Sequence, residues 1–519
     1  MQKTTEKNPG IGALSQSMLV VMVLTMGGKL IGFLRETVMA STFSISAATD
    51  AIKAADPTIL LAIIVTALAT TMIPVYADRL QKGKPEAEHF ISTIFTVGLV
   101  FSAVVLLLTA LFIDPIIHQF VMRGADAETQ ALTVRLARMM MPMGIFFFLA
   151  KVTTACLQAN FNFAIPALSQ MLLNLAVIVS MLLAGGSEAM AYVAIGTVIG
   201  WALQFAVQLP SMRRIKLRVR PRFDLNDPGL RSVLILMLPV LISGAFDQLY
   251  FFFDKSVASA TIGHITMLDY GNKISTMVSS VLLTTIATVL YPSLVRRVGD
   301  RAAFRDNMGF GLNLNLLVAV PAVAALVQLC VPITRVVYQH GVFTAENTQA
   351  TARVLACYAV GVVGFGMREL CNRAFYALKD TRVPMIAGVA AVLLNIILNY
   401  ALYPIWQEIG IALATAISQT ASGIALLILL RRVHGAVDWR RLLRCLLKSA
   451  IATAAMLLAM ALCMRALSLQ QAAGMRFYIG LFATMGLGLV VYVAALAVLK
   501  TEELRSVLSF LRAKIARKQ

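Results

Sequence analysis

Charged residues are scarce in this 519-residue chain: they make up 13% of it, against 59% hydrophobic residues. A soluble domain carries about 25% charged residues, so a water-soluble globular protein is excluded. Carboxylates are scarcer than bases, 25 against 45, which leaves a formal charge of +20. Such an excess would suit nucleic acid, but most of the Lys and Arg lie in short polar segments between apolar runs, where the positive-inside rule puts them. The six cysteines (Cys156, Cys330, Cys357, Cys371, Cys445, Cys463) are scattered with no CxxC pair. They read as small buried hydrophobes rather than disulfides or metal ligands. His118 and His340 lack metal-ligand spacing, and there is no nucleotide-binding loop, HExxH or nucleophile elbow. Neither ATP-driven transport nor catalysis within this chain is supported. No small-residue cleavage site follows the polar start with Lys3, Glu6 and Lys7, so the first span itself is expected to direct insertion.

What the chain does have is apolar spans of roughly 20 residues. Fourteen are expected, at 14–40, 57–77, 90–113, 131–156, 163–184, 189–211, 231–254, 266–292, 306–330, 350–377, 383–404, 409–431, 443–465 and 475–499. Every second connection is basic, among them Arg79 to Lys84, Arg213 to Arg222, Arg296 to Arg305 and Arg431 to Arg444. The intervening connections are poor in Lys and Arg, with Arg123, Arg335, Arg465 and Arg476 as their main members. An even number of spans puts both termini on the basic, cytoplasmic side, and the tail with Arg512, Lys514, Arg517 and Lys518 agrees.

An internal repeat recurs at a separation of about 218 residues. Pro74 pairs with Pro292, each followed by a basic loop; the segment from Arg123 resembles that from His340; Asn174 pairs with Asn395; and Asp50 pairs with Asp269. The period covers six spans, an even number, so both copies share one orientation: a parallel repeat. The expected fold is an all-α integral membrane protein of 14 transmembrane helices, with two six-helix lobes (1–215 and 216–435) and two extra C-terminal helices with a basic cytoplasmic tail (436–519).

Against this apolar background stand Lys29, Arg35 and Glu36 in the first span, and Asp50, Lys53 and Asp56 just before the second. Charge at membrane depth costs several kcal/mol per group, so it persists where it faces water, a charged ligand or another charge. A cavity lined by Lys and Arg suits a cargo bearing phosphate or carboxylate. The plain alternative is that these are interfacial charges that snorkel.

Several segments resemble the MviN/MurJ family: Gly32 to Glu36, Thr49 to Ala51, Gly341 to Thr344, and most specifically Phe375 to Pro384. The resemblance spans nearly the whole chain and implies a member of the multidrug/oligosaccharidyl-lipid/polysaccharide exporter superfamily. It implies a transporter, not an enzyme, that flips lipid II, an undecaprenyl-pyrophosphate-linked peptidoglycan precursor, across the bacterial cytoplasmic membrane. Alternating access through a central cationic cavity, two lobes forming a V and a lipid-facing groove at the last two helices are implied with it. So are lipid II, membrane lipids and other cell-wall synthesis proteins as partners, with no nucleic acid. Carried over by motif, the substrate-binding residues are Lys29, Arg35, Glu36, Asp50 and Lys273, the last within Tyr270 to Lys273. Where the family has an arginine in its second helix, this chain has only apolar residues after Pro57, and Lys53 is expected to substitute.

Asp247, Asn395, Asn399 (the last two at i, i+4 on one face), Thr415 and the backbone carbonyl of Ile411 form a second set. It resembles a sodium site described for some family members, with Asn399 where an aspartate would be expected. No other cofactor is required. Interhelical hydrogen bonding is the alternative. A related exporter of another undecaprenyl-linked oligosaccharide, or a cation-coupled drug antiporter, is the second functional reading. The cationic set disfavours the antiporter. A membrane enzyme would need larger external loops than these.

Overall fold

The computed structural model describes residues 11–215, 218–469, 472 and 474–501. In chain order the helices are α1 (Ile11–Phe43), α2 (Ala47–Ala54), α3 (Ile59–Lys82), α4 (Lys84–Leu111), α5 (Ile113–Ile116), α6 (Ala127–Met140), α7 (Met143–Ala159), α8 (Ala164–Leu183) and α9 (Ala189–Arg214). They continue as α10 (Pro228–Ala258), α11 (His264–Arg296), α12 (Arg301–Gln328), α13 (Cys330–Tyr338), α14 (Ala345–Ala377), α15 (Arg382–His434), α16 (Trp439–Ala466) and α17 (Gly474–Val498). No strand occurs among the described residues. Ten of these helices are long and apolar enough to cross a membrane, and α6 with α7 makes an eleventh candidate, bent by 48°. Pro142 explains that bend, since it cannot donate into the preceding turn.

Helix α15 covers two expected spans. Its 53 residues would reach about 80 Å if straight, far beyond a hydrocarbon core of about 30 Å. Gln407 breaks it with φ 48° and ψ −128°. Asn395 Nδ2 then donates to Thr415 Oγ1 at 3.1 Å, although twenty residues of straight helix would hold them about 30 Å apart. The halves therefore fold back on one another. Gly410 permits this, because a Cβ there would lie 2.6 Å from the Leu402 carbonyl oxygen.

Two compact units divide the chain, Met1–Gln248 with Ser259–Gly263, and Leu249–Ala258 with His264–Gln519. In the first, α3, α4 and α7 pack around Tyr76, Phe90 and Phe148, all fully buried, while α8 packs on both α1 and α9. In the second, Phe304, Leu370 and Phe375 centre the packing of α12 and α14. Helices α14 and the second half of α15 approach closely because glycine lets them. A Cβ on Gly364 would lie 2.4 Å from Thr420 Cα, and one on Gly361 2.8 Å from Ala416 Cα. Small residues at such crossings let helices associate in lipid, where hydrophobicity no longer discriminates. Helices α16 and α17 pack together and join α12, where the Tyr492 hydroxyl donates to the Leu317 carbonyl at 2.8 Å.

Candidate functional site

The first charged cluster is built where α1 ends and α2 begins. Ser46 starts α2 with a reciprocal capping box to Thr49, and this short helix carries Asp50 and Lys53 back towards α1. Glu36 is buried, and each of its oxygens meets a cation. Arg35 Nη2 lies 2.6 Å from Oε1, and Lys53 Nζ lies 3.1 Å from Oε2. Their side chains are 27% and 11% exposed, so both cations sit largely out of solvent. One carboxylate is thus shared between two cations. Lys29 is exposed, seven residues before Glu36 and on the same helical face. Asp50, also buried, accepts the Gly263 N–H at 2.5 Å. Asp56 has a local duty: its carboxylate accepts both the N–H and the hydroxyl of Thr58 at the start of α3.

Lys273, in the second unit, is half-buried on α11. One turn earlier, the fully buried Tyr270 stacks on Tyr338 with ring centroids 4.6 Å apart and meets Phe343 edge-on at 6.1 Å. The Tyr338 hydroxyl donates to the Tyr270 carbonyl at 3.2 Å. The Gly341 to Thr344 motif thus has a physical role. Gly341 takes φ 58°, Phe343 packs against Tyr270, and Thr344 caps α14 through the Asn347 N–H. It fixes the turn of α11 that carries Lys273.

The expected cation set comes together around a different carboxylate. Asn399 Nδ2 donates to Asp254 Oδ1 at 2.7 Å and to Asn395 Oδ1 at 3.3 Å, and Thr415 Oγ1 donates to Asp254 Oδ2 at 3.0 Å. All four residues are buried. Asp254 supplies the carboxylate that these groups meet; the expected Asp247 lies two turns earlier on α10, and its side chain is outside the described residues. Ile411 is fully buried one turn before Thr415. The donor set is all oxygen and amide, which suits a hard monovalent ion, and Asn399 Oδ1 is buried without a hydrogen bond from the described residues. That spare acceptor is the feature that fits a cation better than a closed hydrogen-bond network.

A buried pair that the sequence did not announce lies nearby in the fold-back of α15. His264 Nε2 stands 3.2 Å from Glu408 Oε2, one residue after the Gln407 break, with Tyr403 edge-on to the imidazole at 6.2 Å. His118, by contrast, pairs with Gln130, and His340 with the Val336 carbonyl, both at the exposed surface. All six cysteines are free.

A bundle of apolar helices that buries paired charges has the architecture of a membrane transporter. Residues 39–482 match the family model described as "Lipid II flippase MurJ". Curated relatives include a probable lipid II flippase MurJ of Rickettsia prowazekii, 28% identical over 78% of this chain and 81% of the relative. The lipid II flippase MurJ of Burkholderia cenocepacia is 25% identical, over 81% and 84%. A solved structure of lipid II flippase MurJ in an inward closed conformation superposes with TM-score 0.78 at 24% identity, covering 93% of this chain and 98% of that one. An inward-facing multidrug resistance MATE transporter shares the fold at TM-score 0.64 and 14% identity, covering 80% and 98%. The chain belongs to the lipid II flippase MurJ family.

Proposed function

We propose that this chain flips lipid II across the bacterial cytoplasmic membrane by alternating access, with both termini on the cytoplasmic side. The observation that supports this reading most is Glu36 holding Arg35 and Lys53 at once. A pyrophosphate must shed hydration to cross a bilayer, and charge-assisted hydrogen bonds from Arg and Lys replace that hydration. The cargo then competes with Glu36 for its two cations. Glu36 keeps them paired when no cargo is present and displaces the cargo on release. Arg35 supplies a planar fork suited to phosphate, and Lys53 a point charge where the family has an arginine. Lys29 and Asp50 complete the proposed set in this unit, and Lys273 is proposed as a further cation for the cargo.

The coupling ion in this reading is sodium, held by Asp254, Asn395, Asn399, Thr415 and the Ile411 carbonyl. A bound sodium supplies charge that neutralises a carboxylate inside an apolar bundle. The residues themselves orient its ligands through the Asn399, Asn395 and Thr415 hydrogen bonds.

The test is growth of a bacterium depleted of its own lipid II flippase. The wild-type chain restores growth, and Arg35→Ala, present in the membrane at the same level, does not. Failure of the wild-type chain would overturn the cargo assignment, and growth on Arg35→Ala would show that Arg35 merely snorkels.

A further inference from the structure

The basic segment between α9 and α10 does not hang free. The backbone N–H of Arg218 donates to Glu88 Oε1 at 3.0 Å, that of Arg220 to Ser92 Oγ at 3.1 Å, and that of Arg222 to Thr96 Oγ1 at 2.8 Å. The acceptors sit at i, i+4 and i+8 on α4, and the donors at every second residue of the linker. The match is metric: an extended chain advances about 6.6 Å per two residues, and a helix about 6.0 Å per four. Residues 218–222 therefore lie as an extended strap along one face of α4. Pro221, which has no N–H to offer, occupies a position that α4 does not need. The strap is anchored at its end, where His89 Nε2 meets Asp224 at 3.0 Å and the buried Asp227 at 3.2 Å, and Asp227 caps α10 through the Gly229 N–H.

With its N–H groups turned to α4, an extended chain sends alternate side chains to opposite faces at right angles to that direction. Arg218, Arg220 and Arg222 share one face, and all three are exposed. Val219, Pro221 and Phe223 share the other, and Val219 and Phe223 are 41% and 62% exposed; Leu225, in the turn that follows, is 60% exposed. A row of exposed arginines beside a row of exposed apolar side chains, along the basic end of a membrane-spanning helix, matches one environment: the interfacial zone, where phosphates and the first acyl carbons lie at neighbouring depths.

We propose that residues 218–225 form an amphipathic strap that docks onto anionic phospholipid, with Arg218, Arg220 and Arg222 on headgroup phosphates and Val219, Phe223 and Leu225 in the acyl boundary. Because its backbone is bound to α4, the strap fixes the height of α4 in the bilayer. This role is independent of the cargo.

Nitroxide labels test it in a variant without the native cysteines, at Phe223→Cys and, as a water-exposed reference, at Gly299→Cys. The protein is reconstituted in phosphatidylcholine vesicles with and without phosphatidylglycerol. The label at 223 is expected to be reached by oxygen rather than by a water-soluble nickel chelate, and more so with phosphatidylglycerol, while the label at 299 behaves oppositely. Each arginine near an anionic surface contributes about fivefold. Arg218→Gln, Arg220→Gln and Arg222→Gln together keep every N–H, and should abolish the gain in oxygen access that phosphatidylglycerol gives at 223. Transport in pure phosphatidylcholine should stay at the wild-type rate. Equal chelate access at 223 and 299 would overturn the proposal. So would loss of transport by the triple variant in phosphatidylcholine, which would assign the arginines to the cargo's phosphates instead.

Discussion

Replacing Glu36 by Gln gives the most informative perturbation of the charged cluster. The amide keeps the shape but removes the charge that both cations share, at 2.6 Å from Arg35 and 3.1 Å from Lys53. Breaking a fully buried ion pair costs about 3–5 kcal/mol. Arg35 is 27% exposed, so solvent screens part of that interaction, and about 2 kcal/mol is the expected loss in the cargo-free protein. The same change removes the competitor for an incoming anion, so pyrophosphate should bind about 30-fold more tightly, the equivalent of that energy. The assay pairs thermal unfolding in detergent across a pyrophosphate titration with a lipid II translocation measurement in vesicles. Glu36→Gln should melt lower without pyrophosphate, regain more stability with it, and translocate more slowly because release is impeded. A variant with the wild-type response to pyrophosphate and the wild-type rate would refute the idea that Glu36 and cargo compete for the same cations.

Lys273→Glu should damage translocation more than Lys273→Gln, since it reverses a charge that the anionic cargo is proposed to meet; equal rates for the two would remove Lys273 from the binding set. Asp254→Asn should abolish sodium-22 binding and sodium stimulation of transport, while Asp254→Glu retains part of both; unchanged binding in Asp254→Asn would leave the quartet as hydrogen bonding alone. Gly364→Leu should destabilise the protein by about 3 kcal/mol or more, because its Cβ meets Thr420 Cα at 2.4 Å. Gly486→Ala, where nothing lies within 4 Å, should be neutral or stabilising by up to about 1 kcal/mol; similar melting of the two would undercut the close-packing argument.

The helical spans were legible because hydropathy is a local property, and the break between spans at 404 and 409 was visible before Gln407 was seen to make it. Family motifs led to Arg35 and Lys273, and to Glu36 beside Arg35, with which it pairs. Lys53 and Glu36 meet across a turn between two helices, where no periodicity applies. Asp254 illustrates another limit: it meets Asn399 and Thr415 from a position seven residues after Asp247, on the same helical face, so pattern alone did not single it out. The His264 and Glu408 pair joins distant segments, with no spacing rule to signal it. The strap along α4 was invisible for a simpler reason: its donors are backbone N–H groups, which every non-proline residue has.

The fold-back of α15 bears on how the chain enters the membrane. Asn395 and Thr415 are twenty residues apart, whereas Asp254 lies 145 residues from Asn399. Closing the longer loop costs about 1.8 kcal/mol more in chain entropy, so the hairpin can form first. Within it Asn399 donates to Asn395, and Asn395 to Thr415. Two amides that would each be costly in hydrocarbon thus reach the bilayer already partnered. The hairpin can insert as one unit and then meet Asp254, which the chain brings into the membrane earlier.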